Sequence, residues 1–188
     1  MPETQLPPIR IAILATDGFE ESELLLPRAA LEEAGAKTIL ISPKDNEIQG
    51  MKHHDKTKKV DVDLPLADAD PGEYDAVLLP GGALNADALR VEKAAQEFVR
   101  ETDRAKKPIA FICHAPWLLV SAGLVKGRTL TSYHTIQDDI RNAGGNWKDQ
   151  EVVRDENWIS SRQPSDIAAF NREMLALFAQ AKSKAKSA

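Results

Sequence analysis

A chain with one cysteine cannot close a disulfide on itself, and Cys113 is the only cysteine among these 188 residues. A reducing compartment is therefore the expected setting. The chain also lacks an excess of positive charge. Its formal net charge of −5 gives no electrostatic basis for holding nucleic acid or an anionic membrane surface. The opening residues, MPETQLPP, have neither the basic start nor the apolar run of a signal peptide. Long apolar runs are missing too. The longest uncharged stretch, Ile109 to Val125, is short for a bilayer and carries His114 and Pro116 in its middle. A cytoplasmic protein is expected. No internal repeat or linker divides the chain. The expected organisation is a flexible segment over residues 1–8, one α/β domain over 9–180, and a basic, low-complexity, disordered tail (AKSKAKSA) over 181–188.

What the chain does have is alternation. Short apolar runs at Ile9–Ala15, Lys37–Ser42, Tyr74–Leu79 and Pro108–Ile112 read as buried strands. Helical patterns fall between and after them: from the acidic residues after Gly18 to about Gly35, from Ala86 to Ala105, and from Ala115 to Ala122. Residues 44–65 read as a surface hairpin or loop. Thr135–Ala143 reads as a helix, Val152–Ile159 as a hairpin turning at Asp155-Glu156-Asn157, and Asp166–Gln180 as an amphipathic terminal helix. Strand–helix–strand spacing of this kind predicts parallel strands in a three-layer, doubly wound α/β/α sandwich. In such sheets ligands bind beyond the carboxyl ends of the strands.

Three loops lie there. Cys113-His114-Ala115-Pro116 directly follows a buried strand, so Cys113 sits on a strand-to-helix elbow with helix N–H groups ahead of it, an arrangement that lowers a thiol pKa. Adjacent side chains usually diverge, which argues against direct deprotonation of Cys113 by His114. In TDGFEESE, Glu20 and Glu23 share a helix face while Glu21 points elsewhere. A carboxylate beside a thiolate is a like-charge pair, so the workable form is a protonated Glu donating to the sulfur. Pro27 removes the N–H that would bond the Glu23 carbonyl. Gly81 and Gly82 allow backbone N–H groups to approach a ligand, and one of them with an N–H after Cys113 makes an oxyanion hole. His134 is placed to enter the pocket. His53 and His54 read as solvated, and the four histidines offer no spaced ligand set for a metal.

AILATDGFEESEL, DAVLLPGGALNADALR, PIAFICHAPWLLVSAGLVKGRTLTSY, DDIRNAGGNW and NWISSRQPSD together resemble the PfpI branch of the PfpI/DJ superfamily over about residues 9–178. The resemblance implies a flavodoxin-like fold, homodimers or larger homo-oligomers, and no cofactor. By the same resemblance Cys113 is the nucleophile, His114 its neighbouring histidine, Glu20 or Glu23 the acid beside it, Gly82 and the His114 N–H the oxyanion hole, and Tyr133 a pocket tyrosine. The implied activities are deglycase or glyoxalase chemistry on small carbonyls or glycated proteins, intracellular peptidase activity, or an oxidative-stress role as redox sensor or holdase. The peptidase members complete a triad with a glutamate from a neighbouring subunit. That position here falls on Ala86, with Asp87 beside it as a shorter, displaced substitute.

Overall fold

The computed structural model describes residues 5–185. Strand β1 (Arg10–Leu14) leads into a two-residue strand β2 (Phe19–Glu20), helix α1 (Glu21–Glu33) and strand β3 (Lys37–Ser42). Residues 44–65 contain β4 (Glu47–Lys52), β5 (Asp55–Asp61) and the short β6 (Leu64–Pro65). Then come β7 (Ala76–Leu79), α2 (Ala83–Leu89), α3 (Lys93–Arg104), β8 (Ile109–Ile112) and α4 (Pro116–Ser121). The last third holds β9 (Thr129–Leu130), α5 (Gln137–Asn142), β10 (Asn146–Trp147), β11 (Val152–Asp155), β12 (Trp158–Ser161) and α6 (Ile167–Ala185).

The central sheet has the order β11-β12-β8-β7-β1-β3-β6, and every neighbouring pair is parallel except the β11–β12 hairpin. Its strands are apolar on both faces because both faces are covered. Ile11 and Ile13 pack into one core with Leu24 and Leu31 of α1 and Phe170 and Met174 of α6. The alternate residues, Ala12 and Leu14, pack into a second core with Phe98 and Val99 of α3 and Leu118 of α4. The two-residue period of a strand thus divides one run between two cores. Each buried Leu, Ile or Phe contributes about 1.5–3 kcal/mol.

Some expectations change. The helix expected over 86–105 is two helices. Glu92 is extended (φ −72°, ψ 110°) at the start of α3, and the Gln96 side chain bonds the Arg90 carbonyl left free at the break. The apolar periodicity continues across that break, which is why the pattern alone reads as one helix. The 44–65 segment is a hairpin, but β2 pairs with β4 and docks it against the end of the central sheet. At the ends, Leu6 is buried and its N–H donates to the Ala34 carbonyl at 2.7 Å. Helix α6 runs on to Ala185, beyond the expected boundary at Gln180. Residues 1–4 and 186–188 lie outside the described residues. Among the described residues no helix is long and apolar enough to cross a membrane.

Candidate active site

Strand β8 ends at Ile112, and the backbone of Cys113 is then gripped from both sides. Its N–H donates to the Ser161 carbonyl at 3.1 Å, and its carbonyl accepts the Tyr133 N–H at 2.9 Å. Cys113 has φ 64°, the left-handed region that a non-glycine residue enters at a cost of about 1–3 kcal/mol. Pro116, within the first turn of α4, keeps the elbow short because its missing N–H is not needed there. The side chain is buried, at 7% exposure.

That left-handed backbone also overturns the expected divergence of Cys113 and His114. Here His114 Nδ1 lies 3.1 Å from Cys113 Sγ. The imidazole stacks on Tyr133 at 5.0 Å and meets the edge of Trp117 at 5.3 Å. Burial, and to a lesser degree His134, hold its pKa below the usual histidine value. Its Nε2 has only Thr135 Oγ1, at 3.4 Å.

The choice between Glu20 and Glu23 is resolved by where the helix begins. Glu23, in the first turn of α1, is fully buried and faces Cys113 and the Gly81 N–H. Neither of its oxygens has a hydrogen bond of regular geometry. Burial first, then the nearby Glu20 charge, pushes its carboxyl up to about 8. Glu20 precedes the helix, in β2, and its Oε2 instead accepts the His53 N–H at 3.0 Å, tying down the tip of the β4–β5 hairpin. The Cys113 thiol is pushed up by burial and by the Glu23 charge. The N–H groups of Gly82 and His114 pull it the other way but are outweighed, so the lowered thiol expected at the elbow is reversed by burial.

The amides of Gly81 and Gly82 face different groups. The Gly82 N–H faces the sulfur, whereas the Gly81 N–H faces Glu23. No side chain fits at Gly81: a methyl there would collide with Glu23 Oε2 and lie 2.5 Å from Cys113 Cβ. Gly82 has φ 95°, with Glu20 N only 2.7 Å from where a Cβ would stand.

A cavity of 760 Å³ opens over this group. Glu20, Glu23, Gly82, Cys113, His114 and Tyr133 line it, together with Met51, Leu84 and the Gln163-Pro164-Ser165 turn, whereas Gly81 lies outside the lining. His53 and His54 are exposed but also line it, carried there by the docked hairpin. His134 is outside the lining, exposed and packed against Tyr133 at 4.6 Å. Asp87 is also outside it, exposed on α2, while Ala86 is buried. Asn85 was not singled out in the sequence. It is fully buried and bonds to loops on both sides of the site. Among the described residues no group of three or more His, Cys, Asp or Glu is arranged to hold a metal ion.

The same arrangement of sequence recurs in known proteins. The chain is 42% identical over 169 residues to Deglycase TK1284 of Thermococcus kodakarensis, covering 90% of this chain and 99% of that protein. It is 41% identical over 168 residues to YraA of Bacillus subtilis, named as a proposed cysteine protease, covering 89% of this chain and 97% of that one. It is 40% identical over 170 residues to Protein/nucleic acid deglycase 2 of Escherichia coli, covering 89% and 96%. The fold superposes on Drosophila melanogaster DJ-1beta with a TM-score of 0.80 at 24% identity, over 96% and 97% of the two chains. It matches an Anabaena variabilis protein with dj-1/thij/pfpi-like and ferritin-like domains at a TM-score of 0.83 and 31% identity. That match covers 89% of this chain but 47% of the two-domain one. The sequence model of the DJ-1/PfpI family matches residues 9–177, and the chain belongs to that family.

Proposed function

We propose that this chain is a cysteine-dependent enzyme of deglycase or glyoxalase type, acting on small reactive carbonyls or their adducts on larger molecules, with Cys113 as nucleophile. The observation that carries the proposal is Glu23: a fully buried carboxyl with its pKa near 8 and no regular hydrogen bond, facing the sulfur. At pH 7 such a group keeps its proton. An ionised Glu23 pushes the thiol up, but a protonated Glu23 donates to the sulfur and favours the thiolate, so the pair titrates as a unit. His114, held neutral by burial, accepts the thiol proton at Nδ1. The sulfur then adds to the carbonyl carbon, and the π pair of the C=O bond moves onto oxygen. The Gly82 and His114 N–H groups stabilise that oxygen, and the imidazolium returns the proton to it. The names of the relatives from Thermococcus and Escherichia support this substrate class.

The peptidase reading draws on the same Cys113–His114 contact and on the name of the Bacillus relative. It asks more of His114, whose Nε2 has no carboxylate partner among the described residues. Asp87 of a neighbouring copy in a homo-oligomer is the residue available to fill that role.

The test is turnover of the methylglyoxal–N-acetylcysteine hemithioacetal and release of amine from a methylglyoxal adduct of N-acetyl-lysine. Wild type is expected to consume at least one, and Cys113→Ser neither. Equal rates for wild type and Cys113→Ser would end the proposal.

A further inference from the structure

A glycine pair is the least constrained peptide unit a chain can have, because neither residue resists rotation. The Pro80-Gly81-Gly82 loop nevertheless presents two amides in fixed directions, one to Glu23 and one to Cys113. A side chain on α2 accounts for this. Asn85 is buried at 0% exposure, and all its polar groups are used. Its Nδ2 donates to the Pro80 carbonyl at 3.1 Å and to the Gly81 carbonyl at 3.0 Å, and its Oδ1 accepts the Thr16 N–H at 2.7 Å.

The peptide planes carry the rest of the argument. No peptide bond is cis, and in a trans peptide the C=O and N–H point in opposite directions. Holding the Pro80 carbonyl toward Asn85 turns the Gly81 N–H away from it, toward Glu23. Holding the Gly81 carbonyl the same way turns the Gly82 N–H toward Cys113. The Glu20 N–H shares the Gly81 carbonyl at 3.2 Å, from the loop whose Thr16 end Asn85 also holds. One amide group thus joins the loop that carries the acid to the loop that carries the amides.

We infer that Asn85 is a positioning residue that aims the Gly81 and Gly82 amides at the Glu23–Cys113 pair and locks the two loops in register. The inference rests on the reading of that pair as the reactive one. Asn85 lines no part of the cavity, and its hydrogen bonds go to Thr16, Pro80 and Gly81. Its effect passes through the two peptide planes, so it should be felt by the thiolate and the oxyanion and little by substrate binding.

Two variants test it. Asn85→Leu keeps the branched outline with bulkier methyl groups and removes every bond, whereas Asn85→Ala leaves room for water to reach the two carbonyls. The readouts are the pH midpoint of Cys113 alkylation by iodoacetamide, kcat and KM for the hemithioacetal, and the urea midpoint of unfolding. In Asn85→Leu the alkylation midpoint should rise by about 1 unit and kcat should fall roughly ten- to a hundredfold, with KM within about threefold. Asn85→Ala, a helix-favouring change that should fold, should show the same changes at smaller size. Lower stability with an unchanged alkylation midpoint and unchanged kcat in both variants would overturn the inference and leave Asn85 a structural residue. Should wild type turn over no carbonyl probe, the proposed function falls, and the alkylation midpoints still decide the role of Asn85.

Discussion

Strand β8 has a polar cluster at each end, and the two are built on opposite terms. At its start, beside Ile109, Arg128 reaches in from the β9 side. Its Nε bonds Asp155 Oδ2 at 3.1 Å, Nη2 bonds the Asp155 carbonyl at 2.9 Å, and Nη1 lies 3.4 Å from Asp103 Oδ1. The guanidinium also lies over the Trp158 ring at 3.8 Å, and Asp103 accepts in turn from the Trp158 and Asn157 side chains. Every charge there has a partner. At the other end of the strand, Cys113 sits in a strained backbone conformation, Glu23 has no regular hydrogen bond, and His114 Nε2 meets a threonine hydroxyl at 3.4 Å instead of a charge. Satisfied polar groups hold a fold together. Unsatisfied ones, kept in place by everything around them, are what a reacting molecule can engage.

The largest effect that separates the two ends is on stability. Arg128→Met removes the cation that Asp103 and Asp155 share among the ion pairs of the described residues, leaving two largely buried carboxylates without it. Breaking a buried pair from one side costs several kcal/mol. Because these groups keep some exposure, a loss of about 2–4 kcal/mol is expected in urea unfolding. The folded fraction should retain turnover within about twofold. A large fall in kcat with intact stability would mean that the two ends are not independent.

Glu23→Gln should act in the opposite direction. The Glu23 carboxyl is raised from 4.5 to about 8 in the folded protein, so between those values the native state binds more protons than the unfolded chain. The stability it contributes is full below about pH 4.5 and is lost as pH rises through about 8. Glutamine carries no such dependence. The variant should match wild type near pH 4.5 and exceed it at pH 8.5 by an amount on the order of a few kcal/mol, measured by urea unfolding at both values. Turnover should fall about a hundredfold, because an amide donates more weakly than an acid. A variant less stable than wild type at pH 8.5 would show that Glu23 is structurally satisfied after all.

The strands and the elbow were legible in the sequence because each is local: an apolar run, a turn, a cysteine at the junction. The break after Leu89 was not, since the apolar spacing continues through residues that leave the helix. Glu20 and Glu23 could not be separated while both were placed on one helix face, because the boundary that puts Glu20 in a strand depends on pairing with a distant hairpin. The same hairpin carries His53 and His54 to the cavity despite their exposure. Asn85 was hidden for a similar reason. Two of its partners are nearby, but the third is 69 residues away, and no spacing rule reaches that far. The sole hint was an amide side chain three residues after a glycine pair.

The smallest expected effect concerns Asp87. It is exposed on α2 and lines no part of the cavity, so within one protomer it has no route to the sulfur. Asp87→Ala should therefore change hemithioacetal turnover by less than about twofold, as surface substitutions away from special features do. Peptide-bond cleavage gives the opposite expectation. That reaction requires a protonated leaving amine, and a histidine oriented by a carboxylate supplies the proton far better than one resting against a threonine hydroxyl. If a neighbouring copy offers Asp87 to His114, the substitution should lower cleavage of an unstructured peptide more than tenfold at enzyme concentrations where oligomers persist. Assaying both substrates on the same preparation then compares the two readings directly. Equal, small losses on both would place the chemistry in Cys113, Glu23 and His114 of a single chain, with Asp87 as solvated surface.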